Sequence, residues 1–240
     1  MNSWIEPDWP APNGVRAAST LRAGGVSNGP YASFNLGGHV GDDAASVDQN
    51  RRRLRQLLEL PDEPRWLQQV HGTRAIDADD ADRTADASVS TRPGVVCAVM
   101  TADCLPILLC SGDGQRIGAV HAGWRGLAGG VVASAVDRLG TRELMAWLGP
   151  AIGPSAFEVG DEVRHAFTEQ RPALAPAFRT SGNKRWHADI YALARALLAE
   201  AGVTACFGGD HCTVSDTGRF FSYRRDGVTG RMATLIWRKP

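Results

Sequence analysis

No stretch of this 240-residue chain reaches the ~18 consecutive apolar residues that a membrane-crossing helix needs, so nothing here is expected to span a membrane. The N-terminus, MNSWIEPDWPAPNG, lacks a charged segment followed by an apolar one and does not read as a secretory signal. An excess of charge of either sign is missing too, because 26 Lys and Arg balance 26 Asp and Glu. A net charge of zero gives no general attraction to nucleic acid or to an anionic membrane surface. Cysteine is sparse and odd in number, at positions 97, 104, 110, 206 and 212, with no small-domain disulfide framework. With the missing signal, this predicts free thiols in a reducing cytoplasm. No apolar run leads into GxGxxG or GxxxxGK[ST], so dinucleotide and P-loop sites are not expected. What is present, 43% hydrophobic and 22% charged residues, is a globular composition long enough for a real core.

Along the chain, VRAASTLR (15–22) reads as a strand entering a glycine-rich segment, 23–43, too long for an idle turn. Tyr31, Phe34 and Leu36 predict that this segment is packed down. A helix is expected over about 44–60, with Val47, Leu54, Leu57 and Leu58 on one stripe and Asp42 or Asp43 as N-cap. RWLQQVHGTRAID (65–77) reads as two short strands broken at His71-Gly72, and acidic 77–88 as surface. GVVCAVMT, LPILLC and RIGAVHA are further strands, and GLAGGVVASAVDRLG a helix closed by Gly140. Strand LMAWLG, helices EVGDEVRHAFTEQR and DIYALARALLAEAG, and strand RMATLIW follow. There is no repeat or linker, so residues 1–240 read as a single mixed α and β domain. The elements do not alternate regularly, which argues against a TIM barrel or a doubly wound sheet.

Three donor side chains each stand where an apolar run ends: His71 in QQVHG, Cys104 in TADCLP and His121 in AVHAGW. Two imidazoles and a thiolate with a vacant fourth position suit a catalytic zinc ion. Two other readings stand beside this one. Cys104 and His121 alone could serve as nucleophile and base of a cysteine hydrolase, which leaves His71 idle. Alternatively, each is an ordinary buried thiol or a hydrogen-bonded histidine at a strand end.

QVHG, TADCLPILL, AVHAGWRG, LGPAIGPSAFEVGDEV and FFSYRRDGVTGR, in that order from about residue 20 to 237, resemble the YfiH-type family. That family is variously labelled polyphenol oxidase (laccase domain), purine nucleoside phosphorylase and peptidoglycan editing factor. The resemblance implies an α+β fold with mixed sheets forming a central sandwich flanked by helices, akin to toxin deamidases. It implies zinc on His71, Cys104 and His121, and purine nucleosides and phosphate as small-molecule partners. The implied reactions are adenosine, inosine and methylthioadenosine phosphorolysis together with adenosine deamination. Ala151 and Ser155 stand where many relatives carry Cys, which touches none of the three ligands.

The multicopper label conflicts with the composition. A blue copper site would consume two His and a Cys, and six histidines in all leave too few for a trinuclear cluster. Copper still outcompetes zinc on such ligands, so adventitious phenol oxidation by a copper-loaded form is expected as a side reaction. For the nucleoside chemistry, Asp103, adjacent to a ligand, is the candidate acid/base. Arg22, before the glycine-rich AGGVS, is the candidate phosphate anchor, with Arg125, Arg224 and Arg225 as further anion contacts. Asn35 could bond a ribose hydroxyl or brace its loop, and Trp124 could stack on a purine or sit in the core. His39 reads as a loop brace or extra ligand, Asp86 and Glu158 as braces, and His165, His187 and His211 have no role. A homodimer is allowed for. Three functions follow for testing: a zinc-dependent nucleoside phosphorylase with deaminase activity, a Cys104-dependent hydrolase of serine-containing peptidoglycan precursors, and a non-catalytic metal-stabilised binding protein.

Overall fold

The computed structural model describes residues 3–240. Its first strands are β1 (Trp4–Ile5), β2 (Val15–Thr20), β3 (Ala75–Asp77), β4 (Ala87–Ser90), β5 (Val96–Thr101) and β6 (Leu105–Ser111). They continue with β7 (Ile117–Ala122), β8 (Leu144–Leu148), β9 (Glu158–Gly160), β10 (Phe178–Gly182), β11 (Arg185–Ala188), β12 (Ala205–Gly208) and β13 (Met232–Arg238). The helices are α1 (Ala44–Leu57), α2 (Trp124–Gly129), α3 (Val131–Leu139), α4 (Asp161–Thr168), α5 (Ile190–Glu200) and α6 (Tyr223–Asp226).

An antiparallel sheet of order β1-β2-β13-β5 packs on a mixed sheet of order β12-β8-β6-β7-β4-β3. Val15, Cys97, Val99 and Ile236 of the first meet Leu108, Cys110, Ile117 and Ala119 of the second in a dry interior layer. Helix α1 covers the outer face of the smaller sheet, where Leu54 packs with Phe34, Leu36 and Leu235. Helices α3 and α5 cover the outer face of the larger one through Val132, Val136, Leu193 and Leu197. This is the α+β sandwich flanked by helices that the family resemblance implies. Every residue of β5, β6 and β7 is buried, which is why these strands read as continuous apolar runs rather than alternating ones. All five cysteines are free thiols. Burial between the sheets pushes the Cys97 and Cys110 thiols up to about 12, so they act as small hydrophobes.

Several expectations need correction. Arg65–Val70 is not a full strand but makes two isolated bridges. The Gln69 amide takes over the pairing, donating to Met100 O at 2.8 Å and accepting from Met100 N at 2.7 Å. Residues 77–88 are not all surface: Ala78, Ala85, Asp86, Ala87 and Ser88 are buried. The exposed residues are Asp77, Asp79, Ala81 and Asp82, and the three acids pair with Arg138, Arg92 and Arg74. The helix of 126–140 is two helices, split at Gly130 in the left-handed conformation (φ 104°) and closed at Gly140 (φ 66°). Residues 158–160 form β9, which shortens the expected helix to α4. The β10–β11 hairpin, β12 and α6 carried no legible pattern.

Asn50 stitches the glycine-rich segment to α1. Its Nδ2 donates to Ser27 Oγ, Ser33 O and Asn35 O, and its Oδ1 accepts from Val26 N. All four bonds are to the 26–35 segment, and Asn50 is fully buried. Asn50→Ala strands these partners, at a cost of about 2–4 kcal/mol. For a chain of this size we expect the Tm to fall by roughly 5–15 °C. A calorimetric Tm within 2 °C of the parent would show that water replaces the amide without cost.

Candidate metal centre

Strands β6 and β7 are hydrogen-bonded neighbours, with Leu105 opposite Ala122 and Pro106 opposite His121. This register brings Cys104, just before β6, beside His121 near the end of β7. His71 reaches them from the turn that follows the Arg65–Val70 segment. The ligating atoms of the three all lie within 4.8 Å of one another. Cys104 Sγ and His71 Nε2 are 3.8 Å apart, and the two imidazoles meet edge to face with centroids 4.8 Å apart. Donors around a tetrahedral zinc sit ~3.3–3.6 Å from one another, so a small contraction would seat an ion. Gly123 makes room for this approach: a Cβ there would lie 2.9 Å from His71 Cδ2 and 3.1 Å from Cys104 Sγ. His71, Cys104 and His121 can therefore hold a metal ion. Among the described residues they form the one such grouping of His, Cys, Asp and Glu donors.

Asp86 orients two of the three ligands. Its Oδ1 receives a hydrogen bond from His121 Nδ1 at 2.8 Å and from the His71 backbone N–H at 2.9 Å. Its Oδ2 takes the Gly72 N–H at 2.6 Å and the Val70 N–H at 3.3 Å. The first bond leaves Nε2 of His121 for the site; the others hold His71 in the left-handed region at φ 60°. Burial alone would raise the Asp86 carboxyl, but the bonds from His121 and Gly72 outweigh it and hold its pKa below the usual value. Asp86→Asn removes the charge and turns a donor amide toward these N–H groups. We expect metal affinity to fall about 10- to 100-fold, read by competition with a chelating dye. Unchanged affinity would reduce Asp86 to a passive brace.

Without a metal, burial would raise the Cys104 thiol, yet the His121 charge and bonds from both histidines bring it down to about 6. Burial would lower His121, but Cys104 and Asp86 raise it to about 9. The thiol is thus poised to ionise near neutral pH, as a metal ligand or a nucleophile requires, and a bound metal would take the place of the proton on the His121 imidazole.

The triad opens on two adjoining cavities of about 340 and 260 Å³, which share His71, Ala102, Cys104 and Tyr223. The first is also lined by His39, Gln69, Met100, Thr101, His121 and Arg231. The second adds Asp103, Trp124, Arg125, Phe157, Ile190 and Arg224 among its walls. A protein-sealed structural metal would not face such space. A wider cavity of about 630 Å³ lies elsewhere and holds none of the three donors.

The other expected residues divide sharply. Arg125 and Arg224 line the second cavity, Arg125 with its guanidinium 4.4 Å from the Trp124 ring centroid. Asp103 lines it too, but its Oδ1 accepts from Thr213 Oγ1 at 2.5 Å and its Oδ2 from Arg224 N at 2.6 Å. That carboxylate ties two loops together beneath Cys104 and does not present a free acid. Arg22 lines neither cavity; it donates to Ala32 O and Thr217 O and braces the glycine-rich segment. Asn35 is buried, with its amide spent on Gly37, Asp42 and the Arg231 N–H, so no ribose hydroxyl can reach it. Arg225 is consumed by Thr213 O, Val214 O, Phe220 O and Asp226. Glu158, on β9, accepts from Ser181 Oγ. The sequence reading passed over Gln69, Tyr223 and Arg231, although all three stand in or beside the quoted motifs QVHG and FFSYRRDGVTGR. Those motifs held the signal; only the sheet edge decides which arginine turns inward.

A family described as multi-copper polyphenol oxidoreductase laccase matches residues 16–239. The chain belongs to this family. It is 56% identical over 241 residues to a purine nucleoside phosphorylase of Pseudomonas aeruginosa, covering 99% of both chains. It is 52% identical over 242 residues to purine nucleoside phosphorylase YfiH of Escherichia coli, again covering 99% of both. Among solved structures, a Neisseria meningitidis protein superimposes with a TM-score of 0.96 at 48% identity over all of both chains. YlmD of Geobacillus stearothermophilus gives 0.89 at 34% identity, over all of this chain and 97% of that one. The YfiH resemblance drawn from the motifs therefore holds. Among the described residues no helix is long and apolar enough to cross a membrane.

Proposed function

We propose that this family member is a cytoplasmic, zinc-dependent purine nucleoside phosphorylase that cleaves adenosine, inosine and methylthioadenosine and also deaminates adenosine. The observation that carries the reading is the open His71–Cys104–His121 cleft in a chain more than half identical, end to end, to relatives named for that activity. Zinc on two imidazoles and a thiolate supplies a Lewis acid and makes water nucleophilic near neutral pH.

The chain's own residues do the rest. Tyr223, common to both cavities and 61% exposed, offers a ring face to a purine. Arg231 brings a positive charge beside the donors, with Nη1 on Thr229 O and Gly230 O and, among the described residues, no partner on its other nitrogens, which leaves them for an anion. In our reading it takes the phosphate role first assigned to Arg22. His39, at the same cavity, has its pKa lowered by burial and by Arg231, so it is neutral near pH 7 and can accept a proton. It replaces Asp103 as the candidate base. Incubating adenosine with metal-analysed protein, with and without phosphate, tests this: adenine and ribose 1-phosphate should form only with phosphate, inosine in both. Neither product would overturn the reading.

A second reading rests on the β6–β7 register that sets Cys104 beside His121, the nucleophile and base expected from the sequence. It makes Cys104 the nucleophile of a hydrolase acting on serine-containing peptidoglycan precursors. Such a hydrolase keeps its activity after metal removal by a chelator, whereas the zinc enzyme loses it. Phenol oxidation should emerge only after copper loading, as a side reaction.

A further inference from the structure

Beyond this cleft, the 630 Å³ cavity stands between the β10–β11 hairpin, the first turns of α5 and the Pro172–Ala177 turn. Its walls are small or rigid where they are apolar: Ala177, Ala192, Ala196, Pro154 and Pro176, with Leu174 behind them. Ala192 and Ala196, one helical turn apart, present methyl groups where larger side chains would close the gap. The polar wall carries Arg179, Thr180, His187 and Asp189. Arg179 and His187 are directly opposed partners across the hairpin, so both side chains stand on one face. Among the described residues the Arg179 side chain has neither an ion-pair nor a hydrogen-bond partner. His187 Nδ1 is buried without one. The carboxylate on the lining, Asp189, spends Oδ1 on the Ala192 N–H as N-cap of α5, and the positive end of that helix offsets its charge.

We propose that this cavity is a second ligand site, for a small organic anion whose negative group meets Arg179 and whose apolar body lies on the alanine wall. An arginine with no ion-pair or hydrogen-bond partner beside an apolar wall selects a ligand that carries a negative group. The volume suits a ligand of drug-like size. The site adjoins the metal cleft, because Pro154 and Ser155 line one cavity and Ile152 and Phe157 the other.

The fluorescent aromatic sulfonate 8-anilino-1-naphthalenesulfonate is a probe of this chemistry, titrated into the metal-loaded protein. Saturable binding is expected at one site per chain. Arg179→Glu should weaken it about tenfold or more, and Ala196→Leu, which fills the wall without touching a charge, should weaken it at least as much. Tyr223→Ala, in the metal cleft, should leave it unchanged. Circular dichroism confirms that the variants fold, and Arg179→Gln provides a milder charge removal should Arg179→Glu not fold. Absence of saturable binding, or binding that the Arg179 and Ala196 variants leave intact, overturns the proposal. So does binding lost in Tyr223→Ala, which would place the probe in the metal cleft.

Discussion

Cys104→Ala should release the metal and bring adenosine deamination below detection while the fold survives. Cys104 is partly exposed at the mouth of the cleft, so its loss leaves no large void in the core. Two imidazoles remain, but a catalytic site built from three protein ligands does not keep its ion when the thiolate goes. The chemistry at stake is large. A catalytic zinc lowers the pKa of its bound water from far above the neutral range to about 7, and no other group in the cleft does the same. His121→Ala should be equally inactive but less stable. It leaves Asp86, fully buried, without its imidazole partner, and breaking such a pair costs about 3–5 kcal/mol. The two variants therefore separate metal loss from unfolding. Elemental analysis, circular dichroism and inosine formation are the measurements. Full zinc occupancy in folded Cys104→Ala would remove the thiolate from the ligand set, and full deamination without metal would remove zinc from the reaction.

The residues that sequence alone exposed best are those that interrupt an apolar run. Cys104 and His121 each end a buried stretch, and one register across β6 and β7 brings them together, whereas of residues 65–70 before His71 only Leu67 is buried. The central strands were legible for the same reason, being buried on both faces. The β10–β11 hairpin was not, because four of its five β10 residues and one end of β11 are exposed, which erases the pattern. Residues 77–88 misled through composition: acidic tips alternate with alanines small enough to enter the core. The arginines failed differently. Arg22, Arg225 and Arg231 share a residue type and motif neighbourhoods, but whether a guanidinium meets carbonyls or a cavity depends on loops packed from distant parts of the chain. Asn35 and Arg231 show this most directly, since the Asn35 side chain holds the Arg231 backbone N–H at 2.9 Å across 196 residues.

Arg231→Ala should separate two reactions in one protein. If its guanidinium grips the attacking phosphate, the variant loses a charge-assisted contact of roughly 2–4 kcal/mol. At about 1.4 kcal/mol per decade, phosphorolysis falls on the order of 30- to 1,000-fold. Deamination uses water and should fall far less, so inosine becomes the dominant product even at saturating phosphate. Arg231→Lys keeps the charge but not the fork, and should recover part of the phosphorolysis through a higher KM for phosphate. Arg22→Ala provides the contrast. Its bonds go to Ala32 O and Thr217 O, so its loss should loosen the glycine-rich segment, lower the Tm and reduce both reactions in step. The measurement is ribose 1-phosphate and inosine from adenosine in all three variants. A selective loss of phosphorolysis in Arg22→Ala, with Arg231→Ala unaffected, would return the phosphate to the glycine-rich loop and assign Arg231 to holding Tyr223, whose ring its guanidinium faces at 6.0 Å.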